Sequence, residues 1–202
     1  VNQQSPRSKD FDKLVDEFFV YLDKNYKHFR RLHILGGEPF FQPSFDRLMD
    51  YITTHANPDL ELNVVTNLMV APKKLTKFIN TARKLLVQRR IKRLDITASI
   101  DCWGDEQEYI RYGIDMKQWQ ENFNYVAQQK WITLNINQTI TGLGIKSIPE
   151  LIKFINQHKQ TRPIGHYFMA CVNRSHLYPG IFGPGFFDKD FENILEVMTD
   201  DS

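Results

Sequence analysis

The alternation of strand-like and helix-like segments constrains the fold of this chain more than any other feature of its sequence. In residues 10–24, apolar side chains recur at helical spacing and form one stripe. Such alternation predicts an α/β fold, in which right-handed helical crossovers join parallel strands. The predicted strands are 31–35, 60–66, 93–100, 131–139 and 164–172, and the predicted helices are 10–24, 44–56, 72–87, 116–129 and 148–158.

Two of the predicted strands carry short polar side chains at every second position. Along residues 94–101 and again along residues 132–140, aliphatic side chains alternate with polar ones, so each strand has one polar face. An unpaired polar group that faces a helix layer costs about 1–3 kcal/mol. We therefore predict a partial (β/α) barrel of the TIM type, whose polar inner face receives a ligand. A water-exposed amphipathic edge strand is the alternative.

The predicted strands end in glycines, a carboxylate and small polar residues. Ligands of parallel α/β folds bind at these carboxyl ends, which meet at one edge of the sheet. The composition of the ends predicts a polar small molecule with amine, carboxylate and hydroxyl groups. The ends are Gly36-Gly37-Glu38, Thr66-Asn67, Ser99-Ile100-Asp101, Asn135 to Gln138, and Tyr167 to Cys171.

Two segments resemble motifs of the radical S-adenosylmethionine (SAM) superfamily. The sequence LHILGGEPF at residues 32–40 resembles the superfamily's GGE motif, which ends its second barrel strand. The sequence SIDCWGDEQEYIRYG at residues 99–113 resembles the fourth-strand region, most closely that of members with a Twitch or SPASM extension. The resemblance spans about residues 30–172. It implies a six-unit partial barrel, of which this chain supplies units two to six and lacks the first strand.

The resemblance implies a set of SAM contacts by motif position. Gly36 and Gly37 allow the backbone to approach the ligand, and Glu38 accepts hydrogen bonds from the SAM ammonium. The strand end at Thr66 and Asn67 belongs to the same site. The other implied contacts are Ser99 and Asp101 at the ribose or carboxylate, Arg111 at the carboxylate, Asn135 and Asn137 at the ribose, and Tyr167 and Met169 at the adenine.

Each of these residues also has a purely structural interpretation. The two glycines can form a tight turn between strand and helix, and Glu38 can stabilise the N-terminus of the next helix. Asp101 can cap a helix or a turn, and Arg111 can form a surface ion pair. Asn135 and Asn137 can hydrogen-bond to one another inside a polar core.

The cysteines of the superfamily's defining cluster motif, Cys-x3-Cys-x2-Cys, are missing from this sequence. Its two cysteines, Cys102 and Cys171, cannot hold the [4Fe–4S] cluster of the parent enzyme. We expect the cluster loop just upstream of residue 1, and we expect this chain alone not to cleave SAM. Without the first strand, residues 31–35 form an open sheet edge, which we expect the N-terminal segment or another chain to cover.

The C-terminal residues are predicted to form a separate small unit. Residues 1–175 form the partial barrel, and residues 176–202 form a loop and a helix. The segment at 176–187 is rich in proline, glycine and aromatic residues. It is either a loop over the barrel mouth, a linker to an extension, or a loop whose aromatic side chains pack on the barrel.

Composition narrows the partners that we expect. The net charge is only +2, and no apolar run approaches the ~20 residues that span a bilayer. We therefore expect neither nucleic acid nor a membrane as the main partner, and two thiols suit a reducing cytoplasm. SAM is the expected ligand, and a peptide is a candidate substrate of the parent enzyme. A non-catalytic binding module and an unrelated (β/α)-barrel enzyme are the alternatives.

Overall fold

A computed structural model describes residues 9–170 and 175–199, which form five strands and seven α-helices. Short 3-10 turns connect several of these elements. The strands are β1 (Arg31–Ile34), β2 (Glu61–Thr66), β3 (Arg93–Ile100), β4 (Thr133–Ile140) and β5 (Gly165–Ala170). The helices are α1 (Lys9–Asn25), α2 (Pro43–Thr54), α3 (Pro72–Val87), α4 (Gly104–Ile110), α5 (Met116–Ala127), α6 (Ile148–Lys159) and α7 (Asp188–Thr199).

The five strands form one sheet in the order β1-β2-β3-β4-β5, and every neighbouring pair is parallel. The predicted α/β fold with helical crossovers is therefore confirmed. Because spatial order follows chain order, right-handed crossovers place all the connecting helices on the same face of the sheet. A doubly wound sheet, in contrast, reverses its strand order at a switch point and carries helices on both faces.

The hydrophobic core lies between that helix layer and the apolar face of the strands. The predicted aliphatic side chains of β3 are fully buried there, together with Leu134 and Ile136 of β4 and Leu62 and Val64 of β2. Ile140 of β4 is only partly buried and packs against a second cluster. Trp119 and Phe123 of α5 stack with their ring centroids 5.0 Å apart and belong to the same cluster. This packing confirms the apolar half of the alternation in both strands.

The polar positions of neighbouring strands lie side by side on the opposite face. Thr97 is paired in register with Asn135, and Ser99 is paired with Asn137. On the next strand, Tyr167 is the partner of Asn137. Since side chains of paired residues point to the same face, the predicted polar residues form one continuous surface.

Two local features differ from the sequence prediction. Helix α4 was not predicted, and it begins at Gly104, which has a φ of +66°. The sequence spacing of Ser147 and Glu150 predicts a capping box at the start of α6, and this prediction is wrong. Ser147 does precede α6, but its ψ is 5°, so its backbone is not extended as a capping residue requires. Its hydroxyl group instead donates to the carbonyl of Gly144 and accepts from the amide of Trp103.

The C-terminal residues pack against the body of the domain. Phe187 and Ile194 are buried in a second apolar cluster together with Ile145, Ile148 and Ile152, which begin and line α6. Phe187 also contacts Phe182 and Phe186 ring to ring. The last two residues of the predicted fifth strand, 171 and 172, lie outside the described residues, as do 173 and 174, which precede the predicted boundary near residue 175.

A network of charged side chains surrounds Glu61 at the amino end of the sheet. Its carboxylate accepts hydrogen bonds from Lys92 at 2.9 Å and from Arg31 and Arg93 at 3.0 Å each. Hydrogen bonds from Lys92 and then from Arg31 lower the pKa of Glu61 to about 2. In parallel (β/α) barrels, residues at the amino ends of the strands usually contribute to stability, whereas ligands bind at the carboxyl ends.

The lowered pKa of Glu61 predicts a specific acid sensitivity. A depressed carboxyl pKa stabilises the fold above the ordinary value of 4.5, and the contribution is lost as the pH falls towards 2. We expect Glu61→Gln to be less stable than the parent at pH 7, with the difference shrinking between pH 4.5 and pH 2. Urea unfolding of both proteins at several pH values measures this. A difference that stays constant down to pH 2 contradicts the prediction.

Candidate functional site

The carboxylate of Glu38 joins the ends of β1 and β2. One oxygen, Oε1, accepts a hydrogen bond from the hydroxyl of Thr66 at 2.8 Å and a longer one from the amide of Phe40 at 3.4 Å. The other oxygen, Oε2, accepts from the backbone amide of Asn67 at 2.8 Å. Three residues that the sequence assigned to one site are therefore in direct contact.

Burial of Glu38 changes its acid–base behaviour. Desolvation raises the pKa of Glu38, and the hydrogen bonds from Asn67, Thr66 and Phe40 oppose that rise. A buried carboxylate without a cation of its own gains from binding one. From the part of the chain that the structure describes, Oε2 accepts a single hydrogen bond, and a carboxylate oxygen can accept two. A cationic ligand group at this oxygen is chemically favoured.

Gly36 and Gly37 form the turn that leads from β1 to Glu38. Their φ angles are +95° and +57°, a backbone region that side-chain-bearing residues rarely adopt. A Cβ built on Gly36 meets no atom within 4 Å, so open space lies beside the turn. The two glycines can therefore form a tight turn and also let a ligand approach the backbone, so the two interpretations of this pair are compatible.

The loop after β2 is held in a fixed conformation by side chains from α5. Leu68 is fully buried and has a φ of +57°, which is unfavourable for leucine. The amide of Asn122 donates to the carbonyls of Leu68 at 2.7 Å and Val70 at 2.8 Å. Asn67 contributes through Oδ1, which accepts from the amide of Met69 at 2.9 Å. These bonds fix the loop that presents Asn67 to Glu38.

Asp101 and Arg111 bind each other at the end of β3. The guanidinium donates from Nε to Oδ2 at 2.6 Å and from Nη2 to Oδ1 at 2.8 Å, a bidentate arrangement. The Asp101 side chain is only 5% exposed, whereas the Arg111 side chain is 37% exposed. Arg111 thus forms an ion pair, which was its structural interpretation from the sequence. The partner, Asp101, is itself a predicted site residue.

Buried amide side chains support Asp101 from two directions. The side-chain oxygen of Gln107 accepts from the backbone amides of Asp101 and Cys102, each at 2.9 Å. Gln138 donates from Nε2 to the carbonyl of Asp101 at 2.9 Å, and its Oε1 lies 2.8 Å from Nε2 of His166. Burial and then the charge of Lys159 lower the pKa of His166 to about 4. At neutral pH the ring is therefore uncharged, and its Nε2 donates to Gln138.

The remaining predicted residues line the polar face of the sheet. Ser99, Asn135 and Asn137 are half-buried, and Tyr167 and Met169 are exposed on the edge strand β5. A Cβ on Gly165 would collide with the amide of Asn135, so this glycine leaves room for that side chain. Among the hydrogen bonds of the described side chains, none joins Asn135 to Asn137.

The predicted residues therefore form three groups rather than one bonded constellation. Glu38, beside the Gly36–Gly37 turn, binds Thr66 and Asn67, and Asp101 binds Arg111. Ser99, Asn135, Asn137, Tyr167 and Met169 share the polar sheet face. Sequence reasoning missed the supporting residues Gln107 and Asn122, and it named Gln138 only as part of a strand end. A signal existed for two of these, since Asn122 interrupts the apolar stripe of α5 and Gln138 interrupts the aliphatic face of β4.

Cys102 does not have the character of an iron–sulfur cluster ligand. Cys102 is buried, and burial raises the pKa of its thiol to about 12, so it is not a thiolate at neutral pH. Cys171 lies outside the described residues. Within residues 9–170 and 175–199, no three histidine, cysteine or acidic side chains are grouped as a metal site. In the same residues, no helix is long and apolar enough to cross a membrane.

Comparison with known proteins does not add to these assignments. The chain matches no model of a known protein family, and no curated protein is detectably similar to it. The resemblance of the two motif segments to the radical SAM superfamily therefore stays a prediction.

Proposed function

We propose that this chain forms the SAM-binding part of a radical SAM enzyme, built as a partial (β/α) barrel. The observation that carries the proposal is the contact of Glu38 with Thr66 and Asn67 beside the Gly36–Gly37 turn. Parallel strands in consecutive order also suit a barrel wall, and ligands of such folds bind at this edge. A peptide is the substrate class that the Twitch- and SPASM-like motif favours.

The amino group of SAM suits the surroundings of Glu38. Among the described residues no cation contacts the buried Glu38 carboxylate, whose pKa burial raises, so an ammonium group would add a charge-assisted hydrogen bond there. The open space beside Gly36 leaves the backbone accessible from the same side. Glu38 would therefore hold the amino group, and Thr66 and Asn67 would keep the carboxylate oriented.

The pairing of Asp101 with Arg111 modifies the roles that the motifs imply. Two of the guanidinium nitrogens already bind Asp101, so we assign Arg111 as a positioning residue for this carboxylate. Asp101 would then accept hydrogen bonds from the ribose hydroxyls, and the polar face at Ser99 and Asn137 would extend the same surface. Tyr167 and Met169 on the edge strand offer apolar area for the adenine.

The iron–sulfur cluster would supply the electron that cleaves SAM, and this sequence does not provide its ligands. A three-cysteine motif needs one more cysteine than the two that the sequence contains. The part of the reaction that these residues perform is binding and orientation of SAM. The chain by itself is therefore expected to bind SAM without cleaving it.

Titration with SAM, followed by NMR of the amide groups, tests the proposal. We expect the amides of Gly36, Gly37 and Asn67 to shift in a saturable way. Glu38→Gln should weaken binding about tenfold, because a hydrogen bond to a charged group contributes about 1.5–3 kcal/mol. The matched control is Glu121→Gln, an exposed carboxylate on α5, which should leave the affinity unchanged.

Two results contradict the proposed function. One is the absence of shifts at ~10 mM SAM, a concentration that detects binding weaker than that of ordinary cofactor sites. The other is equal weakening by both variants, because binding would then not depend on Glu38. If adenosine and ATP bind as well as SAM, the nonspecific nucleotide-binding alternative is favoured.

A further inference from the structure

Helix α3 carries a row of basic side chains on its exposed face. The helix contains five lysine and arginine residues and no acidic residue. No acidic residue occurs anywhere in residues 62–94. The exposed row runs along the helix at alternating spacings of four and three residues, which keep its members on one side. It consists of Lys73, Lys77, Asn80, Lys84 and Val87.

The charges of this row are unfavourable for α3 itself. Lys73 lies in the first turn, where the helix dipole favours acidic side chains, and that turn contains none. Lys77 lies four residues further on, at the spacing where like charges on a helix repel each other. Among the described residues, no ion pair compensates Lys73, Lys77 or Lys84. An anionic surface placed against the row would relieve this repulsion.

Helix α7 carries an exposed row of the opposite charge. Asp188 and Glu192 are exposed and lie four residues apart, so they repel each other as the lysines of α3 do. Leu195 follows three residues later and is 60% exposed. The ion pairs of the described residues include neither acidic side chain. The opposite side of α7, with Ile194, is buried together with residues of α6, so the row faces away from the domain.

The two rows match in spacing and in the order of their side chains. Three successive members of the α3 row are Asn80, Lys84 and Val87. The α7 row has the same spacing, four and then three residues, in Asp188, Glu192 and Leu195. When the helices lie parallel in this register, an ammonium group faces a carboxylate and an amide faces the other carboxylate. The two aliphatic side chains also meet, and Val87, which is 75% exposed, loses contact with water.

The two rows cannot meet within one chain. Helix α3 connects β2 to β3, whereas α5 and α6 connect the later pairs of strands. Helix α7 packs against α6, where Phe187 and Ile194 share an apolar cluster with Ile148 and Ile152. Two helices of the layer therefore separate α3 from α7, and a matching row for α3 must come from another molecule.

We infer that the exposed row of α3 binds the exposed row of α7 in a second copy of this chain. Lys84 then pairs with Glu192, and Val87 packs on Leu195. Because two different surfaces meet, a dimer formed in this way still has one free row of each charge. Association therefore continues beyond a dimer, into a ring or an open chain. The contact lies in the helix layer and does not depend on SAM binding.

A nucleic acid fits the basic row less well. The one aromatic residue of α3, Phe78, is buried, so the helix offers no ring on which a base could stack. The net charge of the chain is only +2, although residues 62–94 contain nine basic residues and no acidic one. The remainder of the chain is therefore net negative and repels an extended polyanion. The acidic row of α7 matches α3 in spacing as well as in charge.

Sedimentation equilibrium of the full chain tests the contact. In about 20 mM salt, where charges act over roughly 20 Å, the average mass should rise above that of the monomer between ~10 µM and ~300 µM protein. At the highest concentration the average mass should exceed that of a dimer, because the contact repeats. In about 0.5 M salt the apparent dissociation constant should be at least about tenfold higher, since salt screens exposed charges.

Two charge reversals separate the two rows. Lys77→Glu alters the α3 row beside Asp188 of the bound copy, and Glu192→Lys alters the α7 row opposite Lys84. Each variant alone should associate at least about tenfold more weakly, because every contact then includes a repelling pair. An equimolar mixture should form a one-to-one dimer and nothing larger. Each variant contributes its intact row to that dimer, and the two altered rows that remain free repel each other.

Further variants provide a rescue and two controls. Lys84→Glu combined with Glu192→Lys in one chain should restore association, since the ion pair forms again with its signs exchanged. The matched controls are Lys24→Glu and Glu17→Lys, the same charge changes on exposed residues of α1. Both controls should associate as the parent does. All these positions are exposed, so every variant should fold, and circular dichroism verifies this.

The inference is wrong if the parent stays monomeric at ~300 µM in about 20 mM salt. It is also wrong if the controls lose association as the variants do, or if the mixed variants do not combine. Binding of a duplex oligonucleotide by a monomeric parent would assign the basic row to nucleic acid instead. Each of these results can occur while SAM binds normally, so failure here is distinct from failure of the proposed function.

Discussion

Replacement of Arg162 by leucine is expected to lower the free energy of unfolding by about 3–5 kcal/mol. The guanidinium is buried between two loops at the amino end of the sheet. It donates to the carbonyls of Ala127 at 3.0 Å and Gln129 at 3.2 Å, and also to that of Ile132. Leucine fills similar space but donates nothing, so three carbonyls lose a charged donor. Each unpaired buried group costs about 1–3 kcal/mol.

Urea unfolding of matched variants measures this effect. The free energy of unfolding of Arg162→Lys should lie between the values of the parent and of Arg162→Leu. A single ammonium group cannot reach all three carbonyls that the planar guanidinium contacts. Arg83→Leu, on the exposed side of α3, is the control and should stay within about 0.5 kcal/mol of the parent. SAM-dependent NMR shifts at the opposite edge should persist in all three variants. If Arg162→Leu is as stable as Arg83→Leu, the prediction is wrong, because water then replaces the guanidinium as the donor to these carbonyls.

Replacement of Arg111 by alanine is expected to lower the free energy of unfolding more than replacement of Asp101 by alanine. Without Arg111, a carboxylate that is 5% exposed loses its counter-ion, which costs about 3 kcal/mol for a buried charge. Without Asp101, the guanidinium is already 37% exposed and turns towards water, so the cost is nearer 1 kcal/mol. The asymmetry follows from the different burial of the two partners.

A double-mutant cycle with Arg111→Ala and Asp101→Ala tests this asymmetry. The double variant should be about as stable as Asp101→Ala alone, because no buried charge is left unpaired. The control cycle uses Arg47 and Asp16, whose side chains are 50% and 68% exposed, and its coupling should be about 0–1 kcal/mol. Equal costs for the two single variants would falsify the assignment of Arg111 as the group that neutralises Asp101.

These stability measurements bear on the proposed site because Arg111 and Asp101 belong to it. If Arg111 acts through Asp101, both single variants should weaken SAM binding to a similar extent. If Arg111 instead binds the SAM carboxylate, its removal should weaken binding more than removal of Asp101. The comparison separates a positioning residue from a direct ligand.

The elements of the fold were predictable because local patterns determined them. The stripe in residues 10–24 and the alternation in residues 94–101 each matched an observed element to within about two residues. Helix α4 was missed because seven residues starting at a glycine carry little helical periodicity. The cap of α6 was misjudged because the preceding 3-10 turn rotates Ser147 out of the extended conformation.

The sequence by itself determined the parallel α/β fold, the polar face of the sheet and the gathering of Glu38, Thr66 and Asn67 at its carboxyl edge. These follow from side-chain period and strand direction, which are local properties of the chain. Only the tertiary structure decided that Asp101 binds Arg111 and that Gln138 links it to His166. Those contacts depend on which buried donors and acceptors meet after packing, and no spacing along the chain encodes that.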